Sequence, residues 1–230
     1  MNRWILGVVL AGVVFVAGPV AQTHAQEGWV KLFNGKNLKG WKQRNGTATY
    51  SVEDGCVVGK TMKGSPNSFL CTTKDYSDFE LKFEVKVDNK LNSGVQFRSK
   101  TRGSFTGRVH GPQCEIATNG SAGWVYGEDL GTGWLSQGER HKIFKNNEWN
   151  SYKIRAVGPH IMTWLNGEKI VDFKDMRSLQ KGKGKKGKSA GFMASGFIAL
   201  QVHSIPAKQG PYEVRWKNIY LKDLTTSKKN

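Results

Sequence analysis

The sequence has few cysteines, few acidic residues and, after residue 25, neither helical periodicity nor a long apolar run. It contains three cysteines and 18 Asp or Glu residues, against 35 Lys or Arg residues. The cysteine spacing fits no zinc motif. There is no nucleophile elbow, P-loop or dinucleotide fingerprint, so the enzyme classes that depend on those motifs are disfavoured. The formal net charge of +17 favours an acidic partner or surrounding.

The N-terminus has the layout of a secretory signal peptide. Arg3 precedes an apolar run from Trp4 to Val16, and small residues close the segment at Ala25. This order predicts export to the periplasm or the extracellular space, with cleavage after Ala25. An uncleaved membrane anchor is the alternative, although the run is short for a bilayer span. We predict a single domain over residues 26–224 and a disordered tail over residues 225–230.

Alternation of apolar and polar residues dominates the predicted domain and indicates an all-β fold. It is clearest in Phe79–Val87, and Asn166-Gly167 marks a hairpin turn. Further strands are predicted at Cys56–Val58, Ser68–Thr72, Gly94–Ser99, Gln113–Thr118, Trp149–Val157, His160–Leu165, Lys169–Phe173, Phe197–His203 and Tyr212–Leu221. About ten short strands are typical of a sandwich, a jelly roll or a barrel. We expect the Gly-rich segment 101–140 to be a long functional loop after Thr118.

Three predicted strands carry polar residues two positions apart, which places each pair on one face of its strand. The pairs are Gln96 and Arg98, Gln113 and Glu115, and Gln201 and His203. If the strands share a sheet, these six side chains form one polar face. A carboxylate, an imidazole, a guanidinium and amides together suit acid–base chemistry, anion stabilisation or sugar binding. An ordinary solvated sheet face is the alternative.

Other polar and aromatic residues extend this hypothesis. His110 precedes the Gln113 strand, so a divalent metal site of His110, Glu115 and His203 is conceivable. Trp124, Tyr126 and Trp134 are candidates for stacking on a sugar ring, or for plugging the end of a sandwich. Cys56 and Cys71 lie on neighbouring predicted strands and are candidates for a disulfide, which would leave Cys114 free. Three buried free thiols are the alternative.

Several segments occur in an order that is typical of one protein family. They are Trp29–Trp41, Ser93–Arg98, His110–Ile116, Gly123–Gly127, Trp149–Tyr152, Trp164–Gly167, Ile198–His203 and Val214–Ile219. Together they resemble the 3-keto-disaccharide hydrolase family over almost all of residues 28–224. The resemblance implies a concanavalin/laminin-G-like jelly-roll sandwich of two antiparallel sheets. It also implies exported enzymes that act on glycosides already oxidised to a ketone at carbon 3.

A ketone at carbon 3 acidifies the hydrogen on carbon 2, so a base can remove that proton and the glycosidic oxygen can then leave carbon 1. This route needs a base, an oxyanion stabiliser and a proton donor. We assign His203 as base, Arg98 or a divalent cation as stabiliser, and Glu115 as acid or metal ligand, with the roles of His203 and Glu115 open to exchange. Gln96, Gln113, Gln201, Trp124, Tyr126 and Trp134 are predicted to bind the glycoside.

Three other functions stay open at this point. A carbohydrate-binding module would need the aromatic residues but no acid or base, and a conventional glycosidase would need a second carboxylate, such as Glu128 or Asp129. A basic structural protein of the envelope is the third. The run Lys181–Lys188 predicts a solvated loop, with association to an anionic envelope polymer as a further hypothesis. We expect no nucleic-acid partner.

Overall fold

The structure is a computed structural model that describes residues 28–102, 107–178, 191 and 193–225. The predicted signal segment, the run Lys181–Lys188 and residues 226–230 therefore lie outside the described residues. The described part is all-β, and it includes a short 3-10 turn at Met176–Ser178. None of its helices has the length and apolar character needed to span a bilayer.

Fifteen strands make up the described fold. They are β1 (Trp29–Lys31), β2 (Trp41–Arg44), β3 (Thr49–Glu53), β4 (Cys56–Lys60), β5 (Ser68–Thr72), β6 (Phe79–Val87), β7 (Ser93–Thr101), β8 (Val109–Ile116), β9 (Val125–Glu128), β10 (Gly133–Ser136), β11 (Asn150–Val157), β12 (His160–Leu165), β13 (Glu168–Lys174), β14 (Phe197–Val202) and β15 (Glu213–Asp223).

The strands form two antiparallel sheets that pack face to face. Sheet A has the order β13-β12-β11-β6-β15-β4-β3, with β1 added at β15. Sheet B has the order β10-β9-β8-β7-β14-β5-β2. This two-sheet jelly roll confirms the predicted fold class. Strands β7, β8 and β14, which carry the three predicted polar pairs, are neighbours in sheet B.

The core lies between the two sheets and is filled by the apolar residues of the alternating strands. Phe79, Leu81 and Val85 of β6 are fully buried, and the Phe83 ring stacks on Tyr152 of β11 with 5.0 Å between ring centroids. Burial of each such side chain stabilises the fold by about 1.5–3 kcal/mol. The alternation that predicted β6 therefore reflects a strand with one face in this core.

The sequence-based prediction of segment 101–140 as a loop is wrong in part, because β9 and β10 pair there as a hairpin. The short β1, β2 and β3 near the N-terminus were also not predicted. These strands have between three and five residues, and glycines interrupt the apolar pattern of β9 and β10. Alternation over so few residues carries little signal, and hydrogen bonds to neighbouring strands define these elements instead.

The predicted disulfide between Cys56 and Cys71 is also wrong. All three cysteines are free and buried. Cys56 lies in β4 of sheet A, whereas Cys71 lies in β5 of sheet B. Their strand neighbours Val57 and Leu70 belong to the core between the sheets, so Cys56 and Cys71 project from the outer faces of two different sheets and the thiols point away from each other. Burial raises the pKa of the Cys71 and Cys114 thiols, which keeps both protonated and unreactive.

Candidate functional site

The predicted polar pairs meet on the face of sheet B that points away from the core. Gln96 of β7 is the cross-strand partner of Gln113 of β8, and Glu115 is the partner of Gly94. Gly94 also pairs with Gln201 of β14. Cross-strand partners lie on the same face of a sheet, so these polar side chains stand side by side. We call Gln96, Ser99, Gln113, Glu115 and Gln201 the polar floor.

A chain of hydrogen bonds runs through the polar floor and ends at Glu115. Ser99 Oγ donates to Gln96 Oε1 (2.9 Å), Gln96 Nε2 donates to Gln113 Oε1 (2.7 Å), and Gln113 Nε2 donates to Glu115 Oε2 (3.1 Å). Asn92 Nδ2 donates to the other carboxylate oxygen of Glu115 at 2.5 Å. Every bond in the chain donates in the direction of this carboxyl group. Because each bond polarises the next, the bonds strengthen one another.

Gly94 makes room for this chain. A Cβ atom on Gly94 would lie 2.4 Å from the Gln113 side-chain carbonyl carbon, closer than real Cβ contacts. The Gln113 side chain therefore crosses over Gly94 to reach Glu115. A glycine inside a strand often marks such a close approach, so Gly94 is a sequence signal for the site.

Gln201 is the one floor residue whose amide stays unpartnered. It is fully buried, and neither its Nε2 nor its Oε1 has a hydrogen-bond partner among the described residues. A buried amide without a partner costs about 1–3 kcal/mol. Buried polar groups in native proteins are nearly always bonded, so an orphaned amide beside the floor is suited to receive a polar group of a ligand.

Glu115 has the electrostatics of an acid–base group. Its burial raises the pKa of the carboxyl to about 7, although hydrogen bonds from Asn92 and Gln113 pull the pKa down and the negative charge of Glu128 pushes it up. A carboxyl group with a pKa near neutrality can both donate and accept a proton at physiological pH. The desolvation of the floor is the main cause of this property.

Arg98 does not belong to the polar floor, and the prediction that placed it there is wrong. Its backbone adopts φ +49°, and the register of β7 slips on both sides around it. This bulge reverses the alternation, so Ser99 takes the place on the floor. The Arg98 guanidinium instead reaches Asp78 Oδ1 (3.0 Å) and the carbonyl oxygens of Ser77 and Gly158 (2.6 Å each), beside sheet A.

His203 directly follows β14 and lies two positions after Gln201, so the alternation of the strand directs its side chain to the same face of sheet B. Its Nδ1 lies 2.7 Å from the Ser204 carbonyl oxygen. Since a carbonyl only accepts, Nδ1 carries the proton, and a neutral ring has its lone pair on Nε2. Asn67 connects this corner to Glu128: it accepts from the Ser204 N–H (2.9 Å) and donates to Glu128 Oε1 (3.2 Å).

Glu128 is the second carboxylate on this side of sheet B. It pairs with Gly111 of β8, two positions from Gln113. Burial raises its pKa, while the hydrogen bond from Asn67 and the charge of His203 lower it. The other candidate from the sequence, Asp129, is held instead by Arg102 (2.8 Å) and Arg108 (3.3 Å). Glu128, not Asp129, is therefore the carboxylate associated with His203.

The predicted metal site is not formed. No three His, Cys, Asp or Glu side chains within the described ranges converge in a way that could hold a metal ion. His110 alternates in β8 with Val109, which packs with Phe69 and Ala199 on the floor side of sheet B. Its own side chain consequently projects from the other side. Burial and the charge of Arg102 lower its pKa.

The three predicted stacking aromatics have different surroundings. Trp124 is only 5% exposed and packs edge-to-face against Trp134 at 5.3 Å, with the Arg140 guanidinium 5.6 Å from its ring centroid. It therefore offers no free face to a sugar. Tyr126 is half-buried and Trp134 is 36% exposed, and their rings meet edge-to-face at 5.2 Å. These two remain suitable platforms beside Gln113, the cross-strand partner of Tyr126.

The family model that matches this chain is the 3-keto-alpha-glucoside-1,2-lyase-like domain, over residues 28–222. The chain belongs to this family. No curated protein sequence matches it.

Solved structures of similar proteins have the same fold as this chain. A candidate glycosyl hydrolase from Parabacteroides distasonis is 28% identical, with TM-score 0.66, and the match covers 86% of this chain and 94% of that one. A carbohydrate-binding module from Bacillus subtilis (15% identity, TM-score 0.56, coverage 80% and 96%) shares the fold. So does a Bacillus subtilis protein with a galectin-like fold (9% identity, TM-score 0.63, coverage 85% and 94%).

Four residues of this lyase-like domain escaped the sequence-based prediction of the site. Asn67, Asn92 and Ser99 were not predicted at all, and Glu128 was predicted only for a different function. Asn67 and Asn92 lie next to strands rather than inside them, so period-two alternation does not reach them. Ser99 lies beyond the bulge at Arg98, where simple alternation fails. Glu128 had been considered only as a partner in a conventional glycosidase, because its distance from His203 cannot be read from the sequence.

Proposed function

We propose that this protein is an exported carbohydrate-active enzyme that cleaves 3-keto-glycosides by eliminating the glycosidic oxygen from carbon 1. Membership of the lyase-like family supports the substrate class. The observation that carries the proposal is the buried Glu115 carboxyl, with its pKa near 7, beside the unpartnered amide of Gln201. An ordinary solvated sheet face needs neither feature.

The first step is removal of the carbon-2 proton, which the neighbouring ketone acidifies. His203 is the base: Nδ1 is held by the Ser204 carbonyl, so Nε2 accepts the proton. The electrons of the C2–H bond form a C2=C3 double bond, and negative charge develops on the carbon-3 oxygen. Glu128, connected through Asn67 to the backbone of Ser204, stabilises the resulting imidazolium.

The negative charge on the carbon-3 oxygen needs a hydrogen-bond donor. Arg98 had this role in the sequence-based hypothesis, but its guanidinium points to Asp78. Gln201 replaces it in the proposal, because its amide N–H is buried and has no partner in the described part of the chain. A preorganised donor in a desolvated site stabilises a developing oxyanion more strongly than the same donor in water.

The second step breaks the bond between carbon 1 and the glycosidic oxygen. The carbon-3 carbonyl re-forms, a C1=C2 double bond appears, and the leaving oxygen takes the proton of Glu115. With a pKa of about 7, Glu115 is protonated in a large fraction of molecules at neutral pH. Addition of water across the C1=C2 bond then gives net hydrolysis. Tyr126 and Trp134 form the platform against which the sugar packs.

The test is incubation of the purified protein with a 3-keto-glucoside and with its unoxidised parent glucoside. We expect cleavage of the keto form alone, with an ultraviolet-absorbing enone as the elimination product. His203→Ala and Glu115→Gln should each lower kcat by about 10²–10⁴-fold. Full activity of His203→Ala on the keto substrate would refute the proposal.

The same experiment separates two other functions. Glu115 is buried and Glu128 is half-buried, and the pKa values of both carboxyls are raised, which favours a conventional glycosidase as the second candidate. Cleavage of the keto and parent glycosides at similar rates would support it. Retention of both saccharides without any product would instead indicate a carbohydrate-binding module.

Two further parts of the proposal concern location. Residues 1–25 support export by a cleaved signal, which cell fractionation and N-terminal sequencing of the mature protein would test. The association of Lys181–Lys188 with an anionic envelope polymer also stays a prediction. Loss of envelope binding on substitution of these lysines by glutamine would support it, and unchanged binding would contradict it.

A further inference from the structure

His203 lies between two asparagines at the edge of the polar floor. Val202, the last residue of β14, pairs with the first residue of β5 on one side and with the first residue of β7 on the other. Asn67 directly precedes β5, Asn92 directly precedes β7, and His203 directly follows β14. Because both strand pairs are antiparallel, this register brings the two asparagines to either side of His203, on the same face of sheet B.

Each of the two asparagines also binds a carboxyl group. Asn92 Nδ2 donates to Glu115 Oε1 at 2.5 Å, and Asn67 Nδ2 donates to Glu128 Oε1 at 3.2 Å. Burial raises the pKa of Glu128, and the charge of His203 lowers it. Burial also raises the pKa of Glu115, and the strongest opposing influence there is the hydrogen bond from Asn92. The imidazole therefore has a carboxyl group on each side, with an asparagine between.

The connection from β6 to β7 fixes the position of Asn92. The Asp88 N–H donates to the Glu213 carbonyl oxygen at 3.0 Å, and the Glu213 N–H donates to Asp88 Oδ2 at 2.7 Å. The Leu91 N–H closes a turn on the Asp88 carbonyl oxygen at 2.8 Å, and the Leu91 side chain is buried in the core. Since Asn92 directly follows this buried residue, its amide is a donor with little freedom to shift.

The proposed elimination requires a neutral His203 and a protonated Glu115 at the same time. A neutral imidazole in direct contact with a carboxylic acid takes its proton, because the two resulting charges stabilise each other. Such an ion pair would leave the base without its lone pair and the acid without its proton. Strands β8 and β14 both border β7, so they are only about 9.6 Å apart, and Gly94, the β7 partner of Glu115, adds no side chain between them. The fold therefore needs something else to keep the two groups apart.

We propose that Asn92 is a positioning residue that holds the Glu115 carboxyl away from His203, so that the acid and the base keep separate protonation states. This inference rests on the proposed function, because a reaction that uses both groups needs them apart. An amide suits the task, since it donates to the carboxyl but neither gives up nor takes a proton itself. Asn67 differs in its effect, because it links Glu128 to the backbone beside His203, where a carboxylate stabilises the imidazolium.

The test observes the protonation state of His203 by nitrogen-15 NMR of the histidine-labelled protein, with the signals assigned from His203→Gln. At about pH 7.5 the wild type should show a neutral ring with its proton on Nδ1. Asn92→Leu, which is similar in size but donates no hydrogen bond, should show an imidazolium. Asn89→Leu is the matched control, because it makes the same substitution at an exposed side chain of the same connection, and it should leave the ring neutral.

A double variant identifies the partner of the imidazolium. Asn92→Leu combined with Glu115→Gln should return the ring to the neutral form, because the carboxyl that protonates His203 is gone, whereas a general disturbance of the site would persist. Asn92→Ala removes the amide without adding bulk and should give the same imidazolium signals as Asn92→Leu. Thermal unfolding shows that each variant is folded. A neutral ring in both single Asn92 variants, or an imidazolium in the double variant as well, would overturn the proposal.

Steady-state kinetics connect this result to the reaction. Asn92→Leu should lower kcat on a 3-keto-glucoside by about 10²-fold while KM changes less than about twofold, because the chemical step and not binding is impaired. Unchanged kcat in a variant that shows the imidazolium would contradict the role of Asn92 in catalysis. A wild type that cleaves no 3-keto-glucoside would instead refute the proposed reaction, and the NMR signals would still decide whether Asn92 separates Glu115 from His203.

Discussion

The desolvated carboxyl of Glu115 has a measurable consequence for stability. The pKa of Glu115 is about 7 in the folded protein, against 4.5 for an ordinary glutamate. The folded chain therefore binds the carboxyl proton more tightly than the unfolded chain does. At about 1.4 kcal/mol for each tenfold change in proton affinity, the difference corresponds to about 3 kcal/mol. Buried residues such as Cys114 and Tyr152, whose pKa values are also raised, show that this region is desolvated as a whole.

The sign of the effect follows from the direction of the shift. Stability from the Glu115 proton is fully present below about pH 4.5, and it is lost as the pH rises through about 7. The Glu115→Gln variant mimics the protonated carboxyl at every pH. We therefore expect the variant to match the wild type at pH 4.5 and to exceed it by about 3 kcal/mol in free energy of unfolding at pH 8.

Urea denaturation at pH 4.5, 6, 7 and 8, followed by tryptophan fluorescence, measures this difference. Glu148→Gln is the matched control. Glu148 is exposed, and the substitution removes one carboxyl group, as Glu115→Gln does. The control should follow the wild-type pH profile throughout. Parallel profiles for the wild type and the Glu115→Gln variant would refute the desolvation argument, and so would a Glu115→Gln variant that is less stable at pH 8.

Three further predictions follow from the packing. Arg98→Met should lower the free energy of unfolding by about 3–5 kcal/mol, because buried Asp78 loses its cation, yet kcat per folded molecule should stay unchanged. Trp124→Ala should cost about 3–5 kcal/mol, whereas Trp134→Ala should mainly raise KM; denaturation and steady-state kinetics separate the two. Since all cysteines are free, the thermal midpoint should not change with reductant, and a drop on reduction would contradict the structure.

The polar floor combines features that are individually unfavourable for folding. Glu115 is a buried carboxyl, and the fully buried Gln201 has an amide without a partner. Natural proteins accept such costs mainly at functional sites. Arg98 shows the contrasting case: its charge is also buried, but it bonds to Asp78 and to two backbone carbonyls, which is the pattern of a structural clamp between the sheets.

The sequence alone determined the all-β class, most of the long strands and the floor positions of Gln96, Gln113, Glu115 and Gln201. Alternation is a local property, so a strand with one buried face reveals itself in its own residues, as Phe79–Val87 does. The ordered family motifs added the jelly roll. These predictions needed no knowledge of which strands are neighbours.

Only the tertiary structure decided which residues meet. The bulge at Arg98 is one residue with a left-handed backbone, and it exchanges Arg98 for Ser99 on the floor. The sorting of β4 and β5 into different sheets separates Cys56 from Cys71. The approach of Glu128 to His203 depends on β9 and β14, which other strands separate within sheet B. Such contacts depend on sheet order and register, which long-range pairing sets and local periodicity does not encode.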